Sequence, residues 1–327
     1  MTSTIGFRRP TTSENRAPRR GGLVQASAVY IALIVLFAFN LIFTRGFATA
    51  FTFESLLFSA APIILIAVGQ ALVIGTGGID LSVGSVMAFS SAVIALYLGY
   101  GEGAAIAIAI VAAALVGAFN GSLITFARIN PLITGLGLLV AIRGLAQAVS
   151  GGQRSSIPSG GLFGYIGNAS VLGIPVVAIV ALVIAAVIAV IVRRTSFGRY
   201  ALFVGSNREA AHLAGVPRNA TLMSVYIISA ALAGIAGVMV SARIGASDPN
   251  FIGMTFELTA IAAVVIGGTP LAGGRISVIG TVTAAIFLQL IDTTFVMQGI
   301  DAAYSQILKA VLIIVALYLQ RSRKDAS

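Results

Sequence analysis

Apolar positions along this chain come in blocks of about 20 residues, parted by short polar or glycine-rich links. They predict ten helices, near 23–43, 55–75, 80–98, 104–124, 131–150, 171–192, 221–242, 256–268, 276–297 and 303–320. Blocks of this length match the apolar thickness of a bilayer, and they lack the alternation that marks barrel strands. Lipid allows only helices or closed barrels to span it, so the expected fold is all-α, a polytopic transmembrane helical bundle of about ten spans. The block at 256–268 is short for a span unless it is tilted or continued through Gly268.

Composition agrees. Of 327 residues, 58% are hydrophobic and 9% charged, with a mean hydropathy of +1.03, too little polar surface to cover a soluble globule. The block at 23–43 is long for a signal-peptide core and has no small-residue cleavage site, so it is read as the first span. Three parts follow: a basic arm at 1–22, expected to be disordered and cytoplasmic, a transmembrane domain at 23–320 that includes a cytoplasmic link at 193–220, and a cytoplasmic tail at 321–327.

The net charge of +10 changes the picture only through its placement. Starting inside, ten spans leave both termini in the cytoplasm. Fifteen of the 20 Lys and Arg then fall in cytoplasmic links and termini, three (Arg45, Arg154, Arg243) lie outside, and Arg143 and Lys309 lie within spans. That asymmetry is the positive-inside rule and speaks for topology rather than nucleic acid. Zero Cys, zero Trp and a single His exclude disulfide and thiolate chemistry and a histidine-rich metal site.

Glycine breaks mark where chemistry should be sought. From Leu56 to Gly99 the only charged side chain is Asp80, within Gly77-Gly78-Ile79-Asp80-Leu81-Ser82-Val83-Gly84. Val73-Ile74-Gly75-Thr76-Gly77-Gly78 before it resembles Val265-Ile266-Gly267-Gly268-Thr269-Pro270, which precedes Leu271-Ala272-Gly273-Gly274-Arg275. Interrupted segments in both halves of a membrane protein point to a pathway built by internal duplication, whereas glycine that only permits close helix packing is the plainer reading.

The pathway candidates are Asp80, Ser82, Asn120, Arg143, Gln147, Glu257 and Thr269. Asp80 is equally placed to N-cap the third span. Arg143, deep in the fifth, must face protein or water, with Asp80 or Glu257 as partner. Glu257 stands where the eighth helix dipole favours an acid, and Lys309 is read as snorkelling. Asn120, Gln147 and Gln289 are in-span amides that serve either hydroxyl binding or helix-to-helix hydrogen bonds.

In the 193–220 link, Ser206-Asn207-Arg208-Glu209 has the form of a capping box with Ser206 as N-cap. Ala210, Ala211, His212, Leu213 and Ala214 continue the helix, and Gly215 and Pro217 stop it. So short a helix needs tertiary contacts, and its small residues and mixed charges favour a protein partner over a lipid surface. No P-loop exists, the only lysines being Lys309 and Lys324, and neither a nucleophile elbow nor an H-E-x-x-H motif is present. An enzyme is poorly supported.

The runs Gly69–Val86, Val204–Val216 and Glu257–Gly268 resemble signatures of bacterial sugar ABC-importer permeases of the ribose and xylose type, over nearly the whole chain from Leu23. Gly144-Leu145-Ala146-Gln147 and Gln306–Val311 are most similar to galactofuranose-importer permeases. The resemblance implies a multi-pass protein of the bacterial inner membrane that imports a sugar. It also implies a second permease, identical or different, a periplasmic sugar-binding protein and a cytosolic ATP-binding-cassette ATPase. ATP and Mg would sit on that ATPase, with no cofactor on this chain, and Ser206 to Gly215 would form the ATPase-coupling helix. Thr259 departs from the family pattern, which often has Asp there. Two other classes stay open on the residues alone, an ion-gradient-driven secondary transporter using Asp80 and Glu257, and an intramembrane scaffold.

Overall fold

The structure, a computed structural model, describes residues 21–321, with side chains from 28 to 318. Apart from Gly21, Gly22 and Arg321, the expected arm and tail lie outside the described residues. The helices are α1 (Gly21–Phe43), α2 (Ala50–Gly75), α3 (Val83–Tyr97), α4 (Glu102–Thr125), α5 (Pro131–Ser150), α6 (Gly161–Asn168), α7 (Val176–Arg194), α8 (Ser196–Ser206), α9 (Arg208–Leu213), α10 (Arg218–Ile244), α11 (Phe256–Ile266), α12 (Val278–Met297) and α13 (Ala302–Arg321). Four two-residue strands make two clips: β1 (Ser155–Ser156) pairs antiparallel with β4 (Ala246–Ser247), and β2 (Ser170–Val171) with β3 (Ile174–Pro175).

All ten predicted spans are helices. Among the described residues, seven are long and apolar enough to cross a membrane (α2, α3 with the turn after it, α4, α5, α7, α10 and α12), and α1, α11 and α13 contribute shorter apolar stretches. The starts of α2 and α7 differ from expectation by five residues, the largest such difference. At α7 the reason is a tight turn hidden in an apolar run: Leu172 and Gly173 both take positive φ, +53° and +78°, as a two-residue hairpin turn between β2 and β3 requires. Two helices were not anticipated. In α6 the N-terminus is held by Glu102, whose carboxylate accepts the Leu162 and Phe163 N–H groups at 2.5 and 3.1 Å, and α8 occupies the first half of the 193–220 link.

Apolar residues fill the core and also cover the outside. Large apolar side chains such as Ile34, Leu115, Val140, Val187 and Ile314 stand on the surface, where lipid would meet them. The core is built around α2, in which every residue from Ala60 to Gly75 is buried. Against it pack α7, α10, α11 and α12, while α3 fits between α4, α5 and α10. Small residues and hydroxyls set these distances. Ser91 and Ser241 bond α3 to α10 at 2.7 Å, and Asn40 donates to Thr294 at 2.8 Å between α1 and α12.

The shortness of α11 has a structural cause. Its 11 residues rise only about 16 Å, half of a bilayer's apolar thickness. The other half is crossed by the non-helical chain from Gly245 to Thr255, which enters the bundle until Gly253 lies backbone to backbone against Gly84 in the first turn of α3. Gly253 has φ +76° and a Cβ there would collide with the Gly84 carbonyl. Gly253→Ala should therefore cost at least ~1–2 kcal/mol from the left-handed backbone alone. A lower melting temperature in detergent is expected, while Gly103→Ala, with open space around its Cβ, should leave the melt unchanged or slightly raised.

Candidate functional site

The first break follows directly from the sequence. With no Cβ on Gly77 and φ at +77°, α2 ends at Gly75 and the chain turns back into the bundle before α3 begins. Asp80 lies on this returning segment, 1% exposed. The side-chain amide of Gln70, oriented to pair donor with acceptor, donates to the Asp80 carbonyl at 3.1 Å and accepts the Asp80 N–H at 3.2 Å. This is the bonding an α-helix or a sheet neighbour would otherwise supply. The Asp80 carboxylate accepts the Ser82 N–H at 2.9 Å and the Ser82 hydroxyl at 2.6 Å. It is therefore not the N-cap of α3; that position falls to Ser82, and Asp80 closes a turn one step earlier. Asn120 and the Tyr226 hydroxyl are the next polar groups around the carboxylate. Both are buried, the Asn120 amide near enough to act on the carboxylate, and Tyr226 presses its hydroxyl on Gly78.

A second cluster adjoins the first turn of α3. Arg143 does not pair with Asp80, and it makes no hydrogen bond to Glu257. Its guanidinium Nη1 donates to the carbonyls of Pro249 and Ile252 at 3.0 and 2.6 Å, satisfying the non-helical chain that enters beside it. Gln147, one turn further along α5, donates to Asn250 at 2.9 Å, and Asn250 to the Gly152 carbonyl at 3.2 Å. Glu257, second residue of α11, turns its carboxylate onto Gly84, with Oε2 buried and unpartnered and Arg143 within electrostatic reach. Two helix N-termini, those of α3 and α11, thus converge on one acidic side chain.

Of the seven predicted pathway residues, Asp80, Ser82 and Asn120 share the first cluster and Arg143, Gln147 and Glu257 the second, joined through Ser82 and Gly84 at the start of α3. Thr269 belongs to neither. It is fully buried near the far end of α11, where its hydroxyl accepts the Ser277 N–H at 3.0 Å and steadies the start of α12. Among the described residues no three His, Asp or Glu side chains gather as metal ligands.

The 193–220 link shows a correction and a gain. Ser206 ends α8, and its hydroxyl donates back to the Phe203 carbonyl. The N-cap of α9 is Asn207, whose side-chain oxygen accepts the Glu209 and Ala210 N–H groups at 3.0 Å each. Asn207 wins because its amide oxygen reaches further than a serine hydroxyl already bonded to the preceding helix. Ala214 closes α9 and Gly215 follows at φ +72°, as expected. Just before the cap, Gly205 sits where a Cβ would collide with the Gly75 carbonyl, and the Gly274 N–H donates to that same carbonyl at 2.9 Å. Arg208 adds a long 3.4 Å contact to the Gly77 carbonyl. The ends of both glycine-broken segments and the end of α8 therefore meet at one backbone junction. From α9 only Ala211 is buried, while Glu209, His212 and Leu213 stand outward, Leu213 at 88% exposure.

Asp292 was missed by sequence reasoning. It lies on α12 and pairs with Lys309 of α13 at 2.5 Å, with the Ser305 hydroxyl as a further donor, so Lys309 is held within the bundle rather than snorkelling. The available signal was a carboxylate in one apolar block facing a lysine in the next, since charges at that depth are expected to pair.

A bundle of apolar-surfaced helices in which α3 and α11 begin inside the bundle after glycine-containing non-helical segments, with polar side chains turned to those segments, has the form of a membrane transport protein. Comparison with known families is consistent with this: residues 52–317 match the family described as branched-chain amino acid transport system / permease component, and the chain belongs to that family. It is 38% identical to the galactofuranose transporter permease protein of Escherichia coli K12 over 266 residues, 81% of this chain and 78% of that one. Identity to the ribose import permease protein of the same organism is 32% over 319 residues, 96% and 99% of the two chains. To the L-arabinose ABC transporter permease protein of Azospirillum brasilense it is 31% over 314 residues, 94% and 92%. No solved structure matches the chain.

Arg143→Met should release the chain from Gly245 to Thr255, since it removes two charge-assisted bonds to buried carbonyls, worth ~1.5–3 kcal/mol each. Faster hydrogen exchange at residues 249–252, with α2 and α10 unchanged, is the expected signature.

Proposed function

We propose that this chain is the membrane subunit of an ATP-driven importer of a neutral monosaccharide. It would work with a cytosolic ATP-binding-cassette ATPase that carries ATP and Mg, a second permease and a periplasmic sugar-binding protein. The relatives named for galactofuranose, ribose and L-arabinose support the substrate class. The charge asymmetry supports a bacterial inner-membrane orientation with both termini and the α8–α9 link in the cytoplasm.

The observation that carries the ATPase reading is the α9 helix: six residues, buried through Ala211 alone, with Glu209, His212 and Leu213 outward, and continuous through Gly205 with both glycine breaks. A helix this short, so placed, has a use if a partner seats on it, and movement of that partner reaches the Asp80 turn through rigid backbone contacts rather than side chains. The two clusters at the start of α3 then form the inward gate, with Asp80, Ser82, Asn120, Arg143, Gln147 and Glu257 as its polar groups. Population shifts between closed and open breaks because the ATPase contacts differ in the two states.

Co-purification with the co-expressed ATPase is the test. Stable association that Glu209→Arg abolishes is the expected result. A folded permease that never associates would reject the reading in favour of gradient-driven uptake, in which Asp80→Asn removes ion coupling. With association established, Gly205→Ala should keep the complex and its ATP hydrolysis but lower sugar transported per ATP several-fold, because its methyl would wedge the α8 end off the Gly75 carbonyl.

A further inference from the structure

The polar groups of α11, α12 and α13 that the gate does not use surround a cavity of about 530 Å³ on the other face of α11, between α2, α10, α12 and α13. Its position is the half of the bundle away from the α8–α9 link, lined by the first half of α2, the end of α10 and the start of α13. The polar lining includes Thr255, Thr259, Gln289, Asp292, Gln306 and Lys309. Phe58 forms part of the wall, with the Arg243 guanidinium 4.4 Å from its ring centre.

Lipid is a poor occupant. The Asp292–Lys309 pair keeps 29% and 13% of its two side chains accessible, and a charge pair left facing acyl chains is costly. The carboxylate and ammonium neutralise one another, which leaves Arg243, engaged with Phe58 and with the Gly167 carbonyl at 3.3 Å, as the one unbalanced charge of the lining. What the lining offers is a set of amides, hydroxyls, one guanidinium and one ion pair, donors and acceptors both, among aliphatic walls. That is the chemistry that grips a ring bearing several hydroxyls and one apolar side, and the volume lies within the ordinary range for a small-molecule pocket.

We infer that this cavity is a sugar-binding site, a staging post on the outer side of the gate, in which Gln289, Gln306 and the Asp292–Lys309 pair bind the hydroxyls and the aliphatic wall meets the apolar side of the ring. The inference rests on the importer reading above and adds to it a place where the permease itself holds the substrate before the gate opens.

The chain has no cysteine, so single thiols report cleanly. Ala302→Cys and Ala310→Cys place them on the lining, and Tyr100→Cys, on an exposed turn, serves as control. The complete complex in liposomes is treated with a membrane-impermeant cationic methanethiosulfonate, with and without ribose, galactose, fructose or arabinose, and uptake of each sugar is measured in parallel. A transported sugar should slow labelling of both lining thiols about threefold at a concentration about twice its Kd, leaving the control unchanged. Gln289→Leu should abolish that protection in the folded complex. Lining thiols that never react, because protein or lipid covers them, or that react equally with a sugar the same complex imports, would overturn the site while leaving the importer reading intact. A complex that imports none of the sugars would overturn both.

Discussion

Every carbonyl and N–H taken out of a helix within a bilayer must find another partner, and this molecule is organised around meeting that demand at its breaks. The central helix, buried along its last four turns, ends at Gly75, and the chain that turns back into the bundle is bonded by Gln70 in place of a helical neighbour. The non-helical chain beside α11 is bonded by Arg143. At each place a polar side chain from an intact helix serves a broken one. Where no side chain reaches, glycine lets one backbone lie against another, as at Gly84 with Gly253. The polar residues that look like a pathway are thus also the ones that make irregular backbone tolerable at that depth.

Much of the fold was legible because apolar block length is a direct record of span length. The ten apolar helices, the two glycine breaks and the short helix before Gly215 follow from local pattern. What escaped was non-local or hidden by chemistry of the same type. Leu172 reads as membrane apolar but occupies a left-handed turn position. Ser206 and Asn207 are both good caps, and only the end of α8, itself unforeseen, decides between them. Arg143 looked like a member of an ion pair because sequence displays charges and not backbone carbonyls. The Asp292–Lys309 pair spans two helices, and nothing in either block alone points to it.

The junction of Gly75, Gly205 and Gly274 gives the proposed coupling a particular mechanical character. Side chains can change rotamer and absorb a displacement, whereas backbone in direct contact passes it on. A shift of the α8 end therefore bears at once on the close of α2 and on the loop before α12, the two halves of the molecule together.

The half-length of α11 also bears on how the protein is made. An 11-residue helix offers too little apolar length to be held in a bilayer by itself, and the stretch before it is non-helical. Its residence there depends on α10 already standing and on α12 arriving next, with the guanidinium of a helix synthesised some hundred residues earlier waiting to take its carbonyls. Assembly of this stretch is consequently a late folding event within the bilayer, not an insertion step.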